Sequence, residues 1–198
     1  YKVNDSGSSN NISLNEATVT VTTTPVVMDL NRDGHISYSQ TIMDVNGDGL
    51  LDKTAWAGPQ DGVLVWDKFG DGMLHDHSQF AFSLYGGQTD LEGLAVAFDT
   101  NHDGVLDAHD AQFSEFMVWQ DANQNGVSDP GEMRTLAEWG ISSVSVVSDG
   151  VERTPAPGVT EAGRTTAEAL YGTSILVSDA AFEFQTLAYR VDATPDAT

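Results

Sequence analysis

One short pattern recurs five times along the chain and limits what it can fold into. Asp29-Leu-Asn31-Arg-Asp33-Gly34 is followed by Asp44-Val-Asn46-Gly-Asp48-Gly49, then Asp67-Lys-Phe69-Gly-Asp71-Gly72, Asp99-Thr-Asn101-His-Asp103-Gly104 and Asp121-Ala-Asn123-Gln-Asn125-Gly126. Each copy puts acidic or amide side chains at positions 1 and 5 and glycine at position 6, where a sharp turn needs a residue without a Cβ. Carboxylates packed this closely repel one another unless a cation receives them. Calcium takes six to eight hard oxygen ligands, and a 12-residue loop supplies them from side chains at positions 1, 3 and 5, a backbone carbonyl at 7 and a carboxylate at 9 or 12.

The five copies are unequal. The fifth fills every position, with Asp121, Asn123, Asn125, the Val127 carbonyl, Asp129 and Glu132. The fourth offers Asp99, Asn101, Asp103, the Val105 carbonyl, Asp107 and, at position 12, Asp110. The second has Asp44, Asn46, Asp48, the Leu50 carbonyl and Asp52, but Ala55 at position 12. The first has Asp29, Asn31, Asp33 and the His35 carbonyl; Ser37 and Gln40 stand at positions 9 and 12, so it needs a ligand from elsewhere. The third is poorest, with Asp67, Asp71 and the Met73 carbonyl but Phe69 at position 3. Asp, Asn and Gly also favour metal-free turns, which is the alternative for any one loop. Five together point to Ca2+, in about four or five sites, rather than magnesium, which seldom fills an all-protein cage. A zinc site at His75-Asp76-His77 lacks a third strong ligand.

Charge agrees with a cation-binding chain. Thirty Asp and Glu against eight Lys and Arg give a formal net charge of −22, which repels phosphate backbones and anionic membranes. Nucleic acid and membrane insertion are therefore not expected. There is no cysteine, so disulfides and thiolate metal sites are excluded. No run approaches the ~18 apolar residues of a membrane span and no signal peptide opens the chain, so a soluble molecule with its export address outside this fragment is expected. A hydrophobic fraction of 40% over 198 residues suffices for a core, and four tryptophans argue against disorder.

Residues 1–24 lack the aspartate loops and end in the alternating EATVTVTTT, read as an N-terminal extension or the last strand of a preceding β repeat. Phe113, Phe116 and Met117 fall at helical spacing between the fourth and fifth loops. Asp129-Pro130 reads as a helix start, with Asp129 as N-cap, Pro130 at N1 and Glu132 at N3, followed by the stripe Met133, Leu136, Ala137 and a stop at Gly140. Trp119 and Trp139 are expected to anchor these helices in the core. Beyond Gly140, ISSVSVV and ALYGTSILVSDAAFEFQTLAYRV, with Phe182, Phe184 and Tyr189, read as strands. The expected fold is α+β: a single calcium-loaded domain over 25–192 with EF-hand-like loops, short helices and a small β-sheet, and a tail or linker at 193–198.

The ordered stretches PVVMDLNRDG, IMDVNGDGLLDKTAWAGPQDGVLVWDKFGDG, FDTNHDGVLDAHDAQF and VWQDANQNGVSDPGEMRTLAEWGI resemble the calcium-dependent module of RTX proteins. One branch of that family, the self-processing module, cleaves an Asp-Pro bond just before the module; another is similar to the peptide-binding domain of very large bacterial RTX adhesins. The proline that opens the module here is Pro25, and Thr24 before it has no carboxylate to form a cyclic anhydride. The resemblance thus implies first a calcium-dependent, peptide-recognising adhesin module, not an enzyme, secreted to the bacterial cell surface. It would be a monomeric part of a larger chain, with a peptide or protein on another cell surface as partner. The alternatives are a processing module degenerate at Thr24-Pro25 and a calcium-stiffened spacer. With so few basic residues, an anionic peptide end needs a bound cation to receive it, and the incomplete third loop, through Asp67 and Asp71 with Trp66 nearby, is the expected receiving site.

Overall fold

The computed structural model describes residues 21–190. Most of the N-terminal extension, the 193–198 tail and the side chain of Tyr189 lie outside the described residues. Twelve strands among these form one antiparallel sheet. They are β1 (Val21–Thr23), β2 (Val26–Met28), β3 (Tyr38–Met43), β4 (Leu50–Ala57), β5 (Gly62–Trp66), β6 (Val105–Asp107), β7 (Phe116–Trp119), β8 (Met133–Thr135), β9 (Ile141–Ser145), β10 (Arg153–Ala156), β11 (Val159–Ala169) and β12 (Thr173–Arg190). The main path runs β6-β9-β11-β12-β2-β5-β7-β8. The 18-residue β12 is the spine, pairing with β1, β2, β4 and β11 along its length. One α-helix, α1 (Asp90–Ala97), is present among the described residues.

Both faces of the central strands are buried, which explains why their sequences do not alternate. Val26 and Met28 of β2 pack into one cluster with Leu64, Leu91, Leu94, Phe98 and Val118. Val27, the residue between them, packs into the other with Val63, Val65, Phe80 and Trp119. Trp56 centres this second cluster, its ring centroid 5.4–5.6 Å from Phe80, Trp119 and Phe182. The helix covers the first face. Thr89 caps it by accepting from the Glu92 amide, and Asp179 of β12 accepts from the amides of Asp90 and Leu91. Gly93 lets it approach closely, since a Cβ there would stand 2.1 Å from the Phe82 carbonyl oxygen.

The α+β expectation is therefore corrected to an all-β molecule with one short helix. Phe113–Glu115 is a single 3-10 turn, and Phe116 and Met117 belong to β7, which pairs with β5. No helix follows Pro130. Asp129-Pro130-Gly131-Glu132 is a β-turn closed by Glu132 N–H to the Asp129 carbonyl at 3.1 Å, with Gly131 at φ +93°. Proline at the second place and a left-handed glycine at the third are the arrangement of a type II turn. Met133 then enters β8 opposite Trp119. The strands expected after Gly140 are present as β9, β11 and β12. Trp119 is fully buried, and Trp139 packs half-buried against the first cluster.

Candidate metal loops and the groove between them

Each aspartate loop leaves the end of a regular element. The first, second and third start directly after β2, β3 and β5; the fourth follows α1 by one residue and the fifth follows β7 by one. All five have the same backbone. Position 4 is left-handed in each (Arg32, Gly47, Gly70, His102 and Gln124, φ 58° to 76°), and so is the position-6 glycine (φ 70° to 85°). Three of these position-4 residues have a Cβ, a conformation that costs about 1–2 kcal/mol. The local compensation is an inward fan of amides. The position-1 carboxylate accepts from the position-6 amide at 2.8–3.0 Å in every copy. The position-5 oxygen accepts from the position-7 amide, so Asp33, Asp48, Asp71, Asp103 and Asn125 hold His35, Leu50, Met73, Val105 and Val127. At position 3, Asn31, Asn46, Asn101 and Asn123 each accept from the position-5 amide.

The donor set is oxygen only, which suits a hard cation. Among the described residues no three His, Asp or Glu side chains converge as a metal cluster. The oxygens of each loop are divided among carboxylates, an Asn amide and main-chain carbonyls, and Asn N–H groups occupy the carboxylates: Asn31 on Asp33, Asn46 on Asp48, Asn101 on Asp103, and both Asn123 and Asn125 on Asp129. In the fourth and fifth loops the position-12 carboxylate ties the loop shut. Asp110 accepts from the Thr100 and Asp107 amides, Glu132 from those of Ala122 and Asp129. In the second, Asp52 is fully buried and accepts from Val45 N–H, while its Oδ1 has no hydrogen-bond partner among the described residues. Burial raises its pKa first, and the Asp48 and Asp44 charges add to that. That orphaned oxygen beside two carboxylates is what a cation would satisfy. In the third loop the position-9 amide, His75 N–H, meets the neutral Gln79 Oε1, and the His75 ring bonds Asp71 at 2.8 Å, which lowers the Asp71 pKa.

The second, third and fifth loops come together. Leu74 N–H donates to Ser128 Oγ at 3.0 Å, and Gly126 is packed so closely on the second loop's strand that a Cβ would fall 2.6 Å from the Ile42 carbonyl. Between them lies a groove of about 420 Å³ lined by Ile42, Met43, Met73, His75, His77 and Val127 among others. Ile42, Met73 and Val127 are about half exposed. The first and fourth loops lie elsewhere, the first against Trp139 through Arg32 and the fourth against β9. Trp66 does not face the groove: it packs against Tyr85 and Phe98, and its Nε1 donates to Glu115 at 2.7 Å. The exposed aromatic of the third loop is Phe69.

A second buried polar cluster escaped the sequence reading. Thr24 Oγ1 donates to Asp90 Oδ1 at 2.7 Å, as does the Ser83 amide, and Asp90 is fully buried with Oδ2 unpartnered among the described residues. Desolvation pushes the Asp90 pKa up to about 7, against the lowering effect of these hydrogen bonds. The Thr-Asp-Leu-Glu run at Thr89–Glu92, a capping-box pattern, is the signal that places this carboxyl at a helix start.

Residues 26–183 match the family model of the SPM domain. Over 169 residues the chain is 30% identical to "Iron-regulated protein FrpA" of Neisseria meningitidis serogroup C. That alignment takes in 78% of this chain and 15% of the length of FrpA.

Proposed function

The chain belongs to the SPM domain family, and on that premise we propose that it is a calcium-dependent, peptide-recognising module of a larger bacterial surface protein, of the kind resembled in RTX adhesins. The observation that carries this reading is the groove itself, whose walls are three aspartate loops and whose lining exposes Ile42, Met73 and Val127. A concave apolar surface with a few polar groups is what a short peptide requires. Calcium, when bound, supplies charge neutralisation and a Lewis-acidic point for an anionic ligand. The loop residues fit it by their donor chemistry, as Asp52 Oδ1 illustrates. The third loop offers the fewest protein oxygens, Asp67, Asp71 and the Met73 carbonyl, and so leaves room for a partner's carboxylate. Phe69 and Met73, both exposed, supply apolar contact beside it.

The test uses peptides randomised over their last residues, as free acids and as C-terminal amides, with binding read by fluorescence anisotropy with calcium or chelator. Binding of the acids alone, and only with calcium, is expected. Equal affinity for acid and amide sinks carboxylate capture, and no binding by the calcium-loaded protein sinks peptide recognition.

A second reading, a processing module silenced at its junction, is favoured by one observation. Thr24-Pro25 bridges β1 and β2, and the buried Asp90 carboxyl bonds the Thr24 hydroxyl. Thr24 lacks the side-chain carboxylate that would attack its own carbonyl, so an intact band on a denaturing gel after incubation with calcium is expected. Fragments ending at residue 24 would move the conclusion to this second reading.

A further inference from the structure

The first loop is the one whose own sequence falls short, with Ser37 at position 9 and Gln40 at position 12. In the fourth and fifth loops the position-12 carboxylate takes the position-9 amide, Asp110 from Asp107 at 2.9 Å and Glu132 from Asp129 at 3.2 Å. In the first loop the equivalent amide, Ser37 N–H, donates to Asp61 Oδ2 at 2.7 Å, and the Ser37 hydroxyl donates to the same oxygen at 2.6 Å. Asp61 ends the turn between β4 and β5, 24 residues beyond Ser37.

That turn is fastened to the loop. Gly58 N–H donates to the Ser37 carbonyl at 2.8 Å, Asp61 N–H returns to the Gly58 carbonyl at 3.0 Å, and Asn31 Nδ2 of the loop donates to Gln60 Oε1 at 3.0 Å. Glycine is needed at 58 because a Cβ would fall 2.1 Å from Ser37 Oγ. Asp61 is 1% exposed, and its second oxygen, Oδ1, has no hydrogen-bond partner among the described residues. Buried carboxylate oxygens are almost always satisfied, so an orphan asks for a group that is not a protein donor. Desolvation, and then the charges of Asp29 and Asp33, raise the Asp61 pKa, which puts the carboxyl within electrostatic reach of that loop's own carboxylates.

We infer that Asp61 is the closing ligand of the first loop's cation, supplied across the β4–β5 turn in the place that Asp110 and Glu132 hold in their own loops. The inference rests on the calcium reading above and extends it: the first site is made of two chain segments, so it forms only when β3 and β4 are paired and bring the turn after Ala57 against Ser37. A protonated Asp61 with no metal role is the competing account of the orphaned oxygen.

Calcium stoichiometry of the full chain, by equilibrium titration, separates the two for the parent, Asp61→Asn, Asp29→Asn and the double variant. Asparagine keeps an oxygen for Ser37, so the turn is preserved. Each single variant is expected to bind one ion fewer than the parent, and the double variant no fewer than either. Parental stoichiometry and affinity in Asp61→Asn overturn the assignment, as does the loss of two ions in the double variant. On the parent itself, the Asp61 13Cγ resonance is expected to move on calcium addition together with those of Asp29 and Asp33. A silent Asp61 beside moving Asp29 and Asp33 overturns it without any variant. A parent that binds no calcium overturns the calcium reading and this assignment together, an outcome distinct from calcium binding with Asp61 silent.

Discussion

Asp90 shows how far a single carboxyl can depart from what its letter suggests. It opens α1, where an anion is favoured, yet the helix start is already served by Thr89 and Asp179, and Asp90 itself is turned into the core towards Thr24 and Ser83. Burial outweighs those hydrogen bonds and holds its pKa at about 7, above the ordinary 3.8. The folded state therefore keeps a proton that the unfolded chain releases between these two values. Stability from this group is present below the unfolded pKa and falls as pH rises through the window, by about 1.4 kcal/mol per pH unit. Asp90→Asn, which mimics the protonated acid, should remove that fall and be the more stable protein above neutral pH. Urea melts of parent and variant at pH 5 and pH 7.5 in saturating calcium test this, and parallel pH dependence in the two would refute it.

At the scale of elements, the Asp-Pro-Gly-Glu segment decides between helix and turn. Both begin with Asp-Pro, but only the turn needs a left-handed residue after the proline, and Gly131 has φ +93° with nothing within 4 Å of where a Cβ would stand. Gly131→Ala therefore isolates backbone strain. It is expected to destabilise by about 1 kcal/mol, whereas alanine near a helix start would stabilise by a similar amount. A raised melting temperature in Gly131→Ala would restore the helix reading. The same turn leaves Asp129 to serve the fifth loop and not a cap, its Oδ2 held by Asn123 and Asn125. Helical periodicity misled at Phe116 and Met117 because β7 is a four-residue strand with both faces near core, and so short a run carries no period. The true helix was legible at its start, in Thr89-x-x-Glu92, but its apolar residues Leu91, Leu94, Ala95 and Val96 extend beyond one face and gave no clear stripe.

For the molecule as a whole, a formal charge of −22 is folded around loops whose carboxylates are met by backbone amides and Asn side chains. On the calcium reading proposed above these are weak substitutes for a divalent ion, and much of the cation's binding free energy is expected to act as folding free energy. At calcium one hundred times above its dissociation constant, each site adds about 2.7 kcal/mol. Chelator should lower the melting temperature steeply and calcium should restore it. The same melting curve with and without chelator would remove calcium from the account. Because three loops wall the groove, the peptide binding proposed above should be lost under chelator at temperatures below the global unfolding transition, as read by anisotropy.

The sequence by itself determined the local chemistry. Position-specific Asp, Asn and Gly dictate five loops, since an inward fan of amides and a left-handed glycine need only seven consecutive residues, and all five took the same shape. The Ser/Val alternation in ISSVSVV likewise announced β9, and the aromatic Phe182 and Phe184 marked the stretch that forms β12. What tertiary structure decided was everything set by partners distant in the chain. Val27 and its neighbours Val26 and Met28 face two different cores, so the strands at the centre of the sheet lost the alternation that would have announced them. Asp61 reached Ser37 because β3 pairs with β4, and Asp90 reached Thr24 because α1 docks on β12 through Asp179. No spacing rule links residues whose separation is fixed by strand pairing and helix docking and not by the turn of a loop.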